Sequence, residues 1–340
     1  MSERRLRPPV TIIGAGVSGL SCGVLLTKAG HPVTVLTKDR EQDLVSSKAA
    51  AIWFPYHASP PELVRTLAMA SYHAFAQLAH AHPESGVSLV TLTQLSKRPE
   101  AERDWLIEDY AFRRLAAQEL PVGFRDGSTV RVPFIDTSRY MPSLQGVFAA
   151  QGGVLVTRER RHLSEVVNDS TIVVNCAGLG ARQLVDDPAV YPIRGQIILT
   201  EQLAEEVFIA DDTHDHLPTY IYSRAHDCLL GGTVEAHDWN ERVSEATHVS
   251  ILQRCTALEP RLADVAIKGR AVGLRPGRHR IRLELVVAAG TGTIVIHNYG
   301  HGGSGFTVSW GCAEQVAVLL QQGIRVCTEL LQSISERDGH

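Results

Sequence analysis

After a polar start the chain turns apolar at Val10-Thr11-Ile12-Ile13, a short run with the two-sided hydrophobicity of a strand buried in a parallel sheet. Gly14-Ala15-Gly16-Val17-Ser18-Gly19 follows, Leu20 to Ala29 suits a helix, and Pro32 to Leu36 makes a second strand. The pattern is a βαβ unit with GxGxxG at its first turn, the placement that a dinucleotide fingerprint requires. Gly14 allows the tight turn, Gly16 lets the backbone approach a pyrophosphate, and Gly19 lets helix and strand pack closely. Phosphates then sit on the helix N-terminus, where free N–H groups and the dipole favour an anion. One piece departs from the pattern. The second strand runs into Thr37 and Lys38 where an acid usually meets the ribose hydroxyls, which leaves Asp39 as the candidate.

Two further strand-to-glycine units come late. Thr171 to Val174 leads into Asn175-Cys176-Ala177-Gly178, where small residues let the backbone pass close to a cofactor. Ile294 to Ile296 leads into His297-Asn298-Tyr299-Gly300-His301-Gly302-Gly303-Ser304-Gly305, and Phe306 to Gln321 reads as a helix. Three such units so far apart imply a nucleotide-binding domain assembled from discontinuous segments. The stretches between them, with a helical pattern over Pro61 to His80 and strand patterns over Tyr191 to Thr200, Thr219 to Tyr222 and Leu229 to Thr233, would form a second domain. Ala210 to His216 reads as an exposed polar loop, and its His214, His216, Asp211, Asp212 and Asp215 have no ordered metal-ligand spacing.

Composition narrows the function class. The 340 residues are 44% hydrophobic and 21% charged, with 33 basic and 37 acidic residues spread along the chain for a net charge of -4. Nucleic-acid binding is not expected from so even a distribution. No apolar run approaches the roughly 20 residues that span a bilayer, and the amino terminus leads straight into a strand, so a cytoplasmic protein without a membrane partner is expected. The carboxyl-terminal Arg337-Asp338-Gly339-His340 carries no peroxisomal address. The six cysteines, Cys22, Cys176, Cys228, Cys255, Cys312 and Cys327, are widely spaced and read as reduced packing residues, with no metal site.

The chain resembles the D-amino-acid oxidase family over nearly its whole length. The matching blocks are VTIIGAGVSGL at Val10 to Leu20, AAAIWFPY at Ala49 to Tyr56, VNCAG at Val174 to Gly178, RGQI at Arg194 to Ile197 and LGGT at Leu230 to Thr233. VGLRP at Val272 to Pro276, IHNYGHGG at Ile296 to Gly303 and SWGCA at Ser309 to Ala313 complete them. The GLRP and HNYGHGG blocks are the more specific, because many other dinucleotide enzymes share the opening fingerprint. The resemblance implies an α/β fold, with a discontinuous Rossmann-like FAD-binding domain over residues 1–60, 140–190 and 270–340. A sheet-based α+β substrate domain would take 61–139 and 191–269. It implies FAD as cofactor, a D-amino acid and oxygen as small-molecule partners, and oxidation to an imino acid that hydrolyses to a 2-oxo acid and ammonia, with hydrogen peroxide released.

The resemblance also assigns residues. Arg275, in the GLRP block, would bind the substrate carboxylate with its planar fork, while Arg278, Arg280 and Arg282 suit ion pairs better. Tyr220 would supply a second donor to the same carboxylate. The positions where family members often carry another tyrosine hold His216 and Val234, so the lid is altered or absent, and Tyr222 shares a strand face with Tyr220. Ser46 and Ser47 are candidate phosphate contacts, and Ala50 and Ala51 would let the backbone approach the flavin ring, with Trp53 and Pro55 packing nearby. Gly300, Gly302, Gly303 and Gly305, with the start of a helix at Phe306 and Thr307, would cradle the ring, and Gly303 and Ser304 would also meet the substrate. No general base is required if hydride leaves a neutral amine. Broad or neutral D-amino acids are the expected substrates; D-aspartate or D-glutamate, glycine or sarcosine, and FAD binding without turnover remain alternatives. An acidic side chain would need an added cation from His57, His216 or Arg224. A homodimer is compatible with the sequence and not required by it.

Overall fold

In a computed structural model, residues 7–55, 58–98, 111–211, 213–214 and 216–338 are described. The chain begins with β1 (Val10–Ile13), α1 (Val17–Lys28) and β2 (Val33–Thr37), the βαβ unit that the apolar pattern predicts. Next come α2 (Pro61–Ala81), β3 (Val87–Ser96), β4 (Arg113–Arg114), β5 (Asp126–Ile135) and α3 (Thr137–Ala150). β6 (Val154–Thr157), α4 (Ser164–Val167), β7 (Ile172–Asn175) and α5 (Ala181–Leu184) complete the first half. The second half holds β8 (Tyr191–Thr200), β9 (Phe208–Asp211), β10 (Thr219–Ser223), β11 (Cys228–Gly231), β12 (Glu235–Ala236) and α6 (Glu245–Leu258). It ends with β13 (Ile267–Gly277), β14 (Arg282–Val287), β15 (Ile294–Tyr299) and α7 (Ser309–Asp338).

Among the described residues these strands make two sheets. One has six strands in the order β14-β15-β7-β1-β2-β6, parallel from β15 to β6, with β14 antiparallel at its edge. Its central strands are unbroken apolar runs because both faces are covered. Ile12, Val174 and Ile296 pack into one core with Leu20, Val24, Val316 and Leu320 of α1 and α7. The alternate residues Ile13, Val173 and Val295 face Val166, Val167 and Leu184 on the other side.

The second sheet has nine strands, mostly antiparallel, in the order β12-β8-β11-β10-β9-β3-β5-β4, with β13 lying along β8. One face carries Ile198, Ile221 and Leu230 against Ile251 and Cys255 of α6. α2 packs on α7 and on β3 and β5, so it joins the two sheets. The Trp53 indole N–H donates to the Ala68 carbonyl at 2.8 Å and ties the segment after β2 to that helix.

Four boundaries differ from the apolar pattern. β15 runs on through His297, Asn298 and Tyr299, because polar residues can continue a strand when their side chains find buried partners. α7 starts at Ser309 rather than Phe306, after turns over residues 302–308. Ala210 and Asp211 belong to β9 and are paired with Tyr220 and Thr219, so the polar loop is shorter than its composition implies. Residues 270–277, assigned above to the nucleotide side, run along β8 in the second sheet. All six cysteines are free thiols, no described helix is long and apolar enough to cross a membrane, and no metal-binding cluster occurs among the described residues.

Candidate active site

The C-terminal ends of β1, β2, β7 and β15 open on a cleft of about 580 Å³. Ala15, Gly16, Val17 and Ser18 line it where α1 begins, joined by Gly14, Cys176, Ala177, Gly178, Asn298 and Gly302. The helix has Gly16 as its N-cap and no acid in its first turn, so the positive end of its dipole faces the cleft. Gly14 stands at φ +105, and a Cβ there would lie 2.9 Å from the Cys176 carbonyl carbon, which explains glycine at the turn. A Cβ on Gly16 would lie 3.2 Å from Ser46 Oγ, which accepts a hydrogen bond from the Val17 amide at 3.0 Å.

Beneath the turn, His301 Nδ1 lies 3.4 Å from Ser18 Oγ and Nε2 lies 3.0 Å from Asn298 Oδ1. Asn298 Nδ2 in turn donates to the thiols of Cys22 and Cys176. Burial holds His301 down to about 4, so the ring is neutral and bridges the turn before α1 to the late glycine loop. His297 is likewise held down to about 4, first by burial and then by the nearby Arg282 charge. Burial followed by the Asp187 contact pushes the Tyr299 hydroxyl up to about 12, and that hydroxyl donates to Asp187 Oδ2 at 2.8 Å.

A second cavity of about 190 Å³ lies against one face of the nine-stranded sheet. Strand register builds that face. Gln94 pairs with Ala210, Ala210 with Tyr220, Tyr220 with Gly231 and Gly231 with Ile197, so their side chains form one row. On the neighbouring strand Gly273 and Arg275 oppose Gly195 and Ile193 and point the same way. The glycines make room for two long side chains to lean together. A Cβ on Gly195 would stand 2.6 Å from Cζ of Arg275, and one on Gly232 would stand 2.6 Å from the Tyr220 hydroxyl. Arg275 lies beside the Tyr220 phenol; burial raises the phenol above its ordinary range, and the Arg275 charge opposes that rise. Arg275 Nη1 is held by the Thr233 carbonyl at 3.1 Å. Tyr222 stacks on Tyr220 with ring centroids 5.1 Å apart.

The two cavities share a wall made by Val45, Lys48, Ala49, Gly273, Arg275, Gly303 and Phe306. Asp39 and Gly305 line the cleft, while Ala50, Ala51 and Thr307 line the second cavity. Thr307 Oγ1 also donates to the Phe54 carbonyl at 2.9 Å.

Other expected site residues lie elsewhere. Gly19 lines neither cavity; it supports the turn, since a Cβ there would press on the Gly14 carbonyl. Ser47 turns away and donates to the Glu41 carbonyl at 2.6 Å, because its short 3₁₀ turn points only Ser46 at α1. Gly300 packs against Arg278, and Ser304 is fully buried in the turn before α7, so neither reaches a cavity. His216 is exposed and lines neither cavity, and Arg224 makes a two-pronged bond to Asp227 at 2.6 and 2.7 Å. His57 falls outside the described residues.

Several lining residues were not foreseen. Lys48 follows the serine pair, where a single lysine carries no motif of its own. Gln94 sits on β3, whose mixed pattern carries no motif. Arg158, Glu159 and Arg160 follow β6 and reach the cleft only because β6 is parallel to β2. Arg160 Nε is buried without a hydrogen-bond partner among the described residues. A helix N-terminus at the turn, glycines that leave room for a backbone-hugging group and an orphaned N–H donor together fit an anionic dinucleotide.

The chain is similar to known proteins over most of its length. The family model described as FAD dependent oxidoreductase (DAO) matches residues 9–319. A D-amino-acid oxidase of Rubrobacter xylanophilus is 41% identical over 309 residues, covering 91% of this chain and 94% of that protein. One of Dictyostelium discoideum is 38% identical over 319 residues, covering 92% and 91%. Among solved structures, glycine oxidase from Geobacillus kaustophilus shares the fold with a TM-score of 0.76 at 21% identity, covering 93% of this chain and 95% of that one. The chain belongs to the DAO family of FAD-dependent oxidoreductases.

Proposed function

We infer that this protein is a D-amino-acid oxidase that converts neutral D-amino acids to 2-oxo acids, ammonia and hydrogen peroxide. The observation that carries the reading is the Arg275–Tyr220 pair, held over glycines on the wall between the nucleotide cleft and a small, largely apolar cavity. When bound, FAD supplies the acceptor for a hydride leaving the substrate Cα and passes the electrons to oxygen. Arg275 binds the substrate carboxylate, with its guanidinium prepositioned by the Thr233 carbonyl. Tyr220 donates its hydroxyl to the same carboxylate, and its raised pKa keeps that proton in place at neutral pH.

No histidine lines the second cavity among the described residues, in keeping with an amine that enters neutral. Ile52, Phe54, Leu92, Ile197 and Ala210 wrap the substrate side chain, and Gln94 offers a neutral polar contact. The cavity's cations, Arg275 and Lys48, stand on the wall it shares with the cleft, neither His216 nor Arg224 lines it, and its remaining walls are mostly apolar, which supports neutral over acidic side chains. The domain division follows the sheets: the six-stranded sheet serves the nucleotide and the nine-stranded sheet, including β13, serves the substrate. Free thiols throughout agree with a cytoplasmic setting.

The test is spectroscopic. Purified protein should be yellow, and a panel of D- and L-amino acids mixed with it without oxygen should bleach the flavin band with neutral D-isomers. A colourless protein, or bleaching by L-isomers alone, would refute the reading.

A further inference from the structure

The cleft has two ends. Arg275 and the second cavity mark the ring end, on the β7 and β15 side of the pyrophosphate turn. The other end, beyond β1, is closed by Lys38 and Asp39 after β2 and by Arg158, Glu159 and Arg160 after β6, with Asp43 nearby. That is the adenosine end of a dinucleotide lying across the turn.

The usual device there is an acid at the tip of the second strand. Thr37 occupies that tip, is buried, and closes a local turn by donating to the Asp39 carbonyl at 3.2 Å and accepting from its amide at 3.3 Å. Its hydroxyl is therefore already used.

Arg160 is different. Its side chain is 20% exposed and lines the cleft, yet Nε has no partner. Its nearest acid, Glu165, stands 3.9 Å from Nη1 and spends one oxygen on the amides of Arg161 and His162 at 3.2 and 2.9 Å. Lys38, Arg158 and Glu159 on the same rim are exposed. A buried donor without an acceptor is disfavoured in the protein alone, and an acceptor in the cleft satisfies it.

We propose that Arg160 anchors the adenosine half of the cofactor, its Nε–H donating to a ribose or adenine acceptor at the end of the cleft that Asp39 also lines. Arg160 is a positioning residue far from the chemistry. The aliphatic stem supports the rim, and the directed N–H gives the affinity. The inference rests on FAD as cofactor and is independent of the substrate.

Arg160→Met keeps the stem and removes the donor. The FAD dissociation constant of the full chain is read from flavin fluorescence released on serial dilution, with ADP and FMN as competitors and thermal unfolding of the flavin-free chain alongside. The expected result is FAD binding weakened about ten- to a hundredfold. ADP, which carries the adenosine half, should lose competitive strength by the same factor, FMN should not, and the unfolding midpoint should stay or rise. Arg160→Lys retains the charge without the Nε donor and should recover only part of the affinity. An unchanged FAD constant would overturn the proposal, as would FMN losing strength along with ADP or full recovery by Arg160→Lys. A wild-type chain that holds no FAD would overturn both this proposal and the cofactor assignment.

Discussion

The cleft at the parallel strand ends and the cavity on the antiparallel sheet meet along one wall, but they are built from different material. The cleft is made by the ends of parallel strands, where turns of glycine and alanine bring the backbone from Gly14 to Ser18 and from Cys176 to Gly178 against it. The cavity is made by the face of an antiparallel sheet, where side chains from β3, β9, β10, β8 and β13 stand side by side. Backbone recognition writes itself into the sequence locally, because the glycines that permit it lie within a few residues of one another. Side-chain recognition on a sheet face depends on pairings between distant segments, and Arg275 meets Tyr220 only because both β8–β13 and β10–β11 have the register observed.

The comparison can be broken from either side. Arg275→Ala should leave the protein yellow and lower kcat/KM by about a thousandfold, on the order of 4 kcal/mol for charge-assisted bonds to a carboxylate. A small loss in steady-state kinetics would remove Arg275 from substrate binding. Gly14→Val should do the reverse. A β-branched residue at φ +105 and against Cys176 costs about 3 kcal/mol of stability and should yield colourless protein, seen in absorbance and thermal melts.

Acid should strike the cleft before the cavity. His297 and His301 are held near 4 in the folded protein, against about 6.5 when unfolded, so the unfolded chain binds more protons between these values. Stability is therefore complete above pH 6.5 and falls as pH drops toward 4, by about 3 kcal/mol per histidine. Denaturant midpoints measured across that window should decline together with flavin retention, and His301→Gln should flatten part of the slope. Tyr220→Phe should cost about tenfold in KM, roughly 1.4 kcal/mol, with the flavin spectrum unchanged. The smallest effect is expected at His216. Alanine there should change kinetics by less than about twofold, as for an exposed residue outside both cavities.

Much of the fold was legible because its parallel core needs two covered faces, and only continuous apolar runs such as Val10 to Ile13 satisfy that. The antiparallel sheet was read less completely. Tyr191 to Thr200 stood out as an apolar stretch, whereas Val87 to Ser96 and Asp126 to Ile135 mix polar and apolar positions without a turn motif between them. Ser47, Gly300 and Ser304 show the same limit within the site. Each belongs to a motif whose neighbours line a cavity, yet a 3₁₀ turn or a packed turn aims it elsewhere.

By itself the sequence determined the βαβ unit, the glycine turns and the identity of Arg275 and Tyr220 as candidates for one site, because these depend on local conformation and on blocks shared with a family. Tertiary structure decided which of those residues line a cavity. Strand register brought Tyr220 and Arg275 together over Gly195 and Gly231, and the parallel pairing of β2 with β6 carried Arg160 to a cleft whose opening motif lies far away in the chain. The physical reason is that side-chain direction alternates along every strand, so a position's chemistry is set by its own atoms but its partner is set by the neighbouring strand.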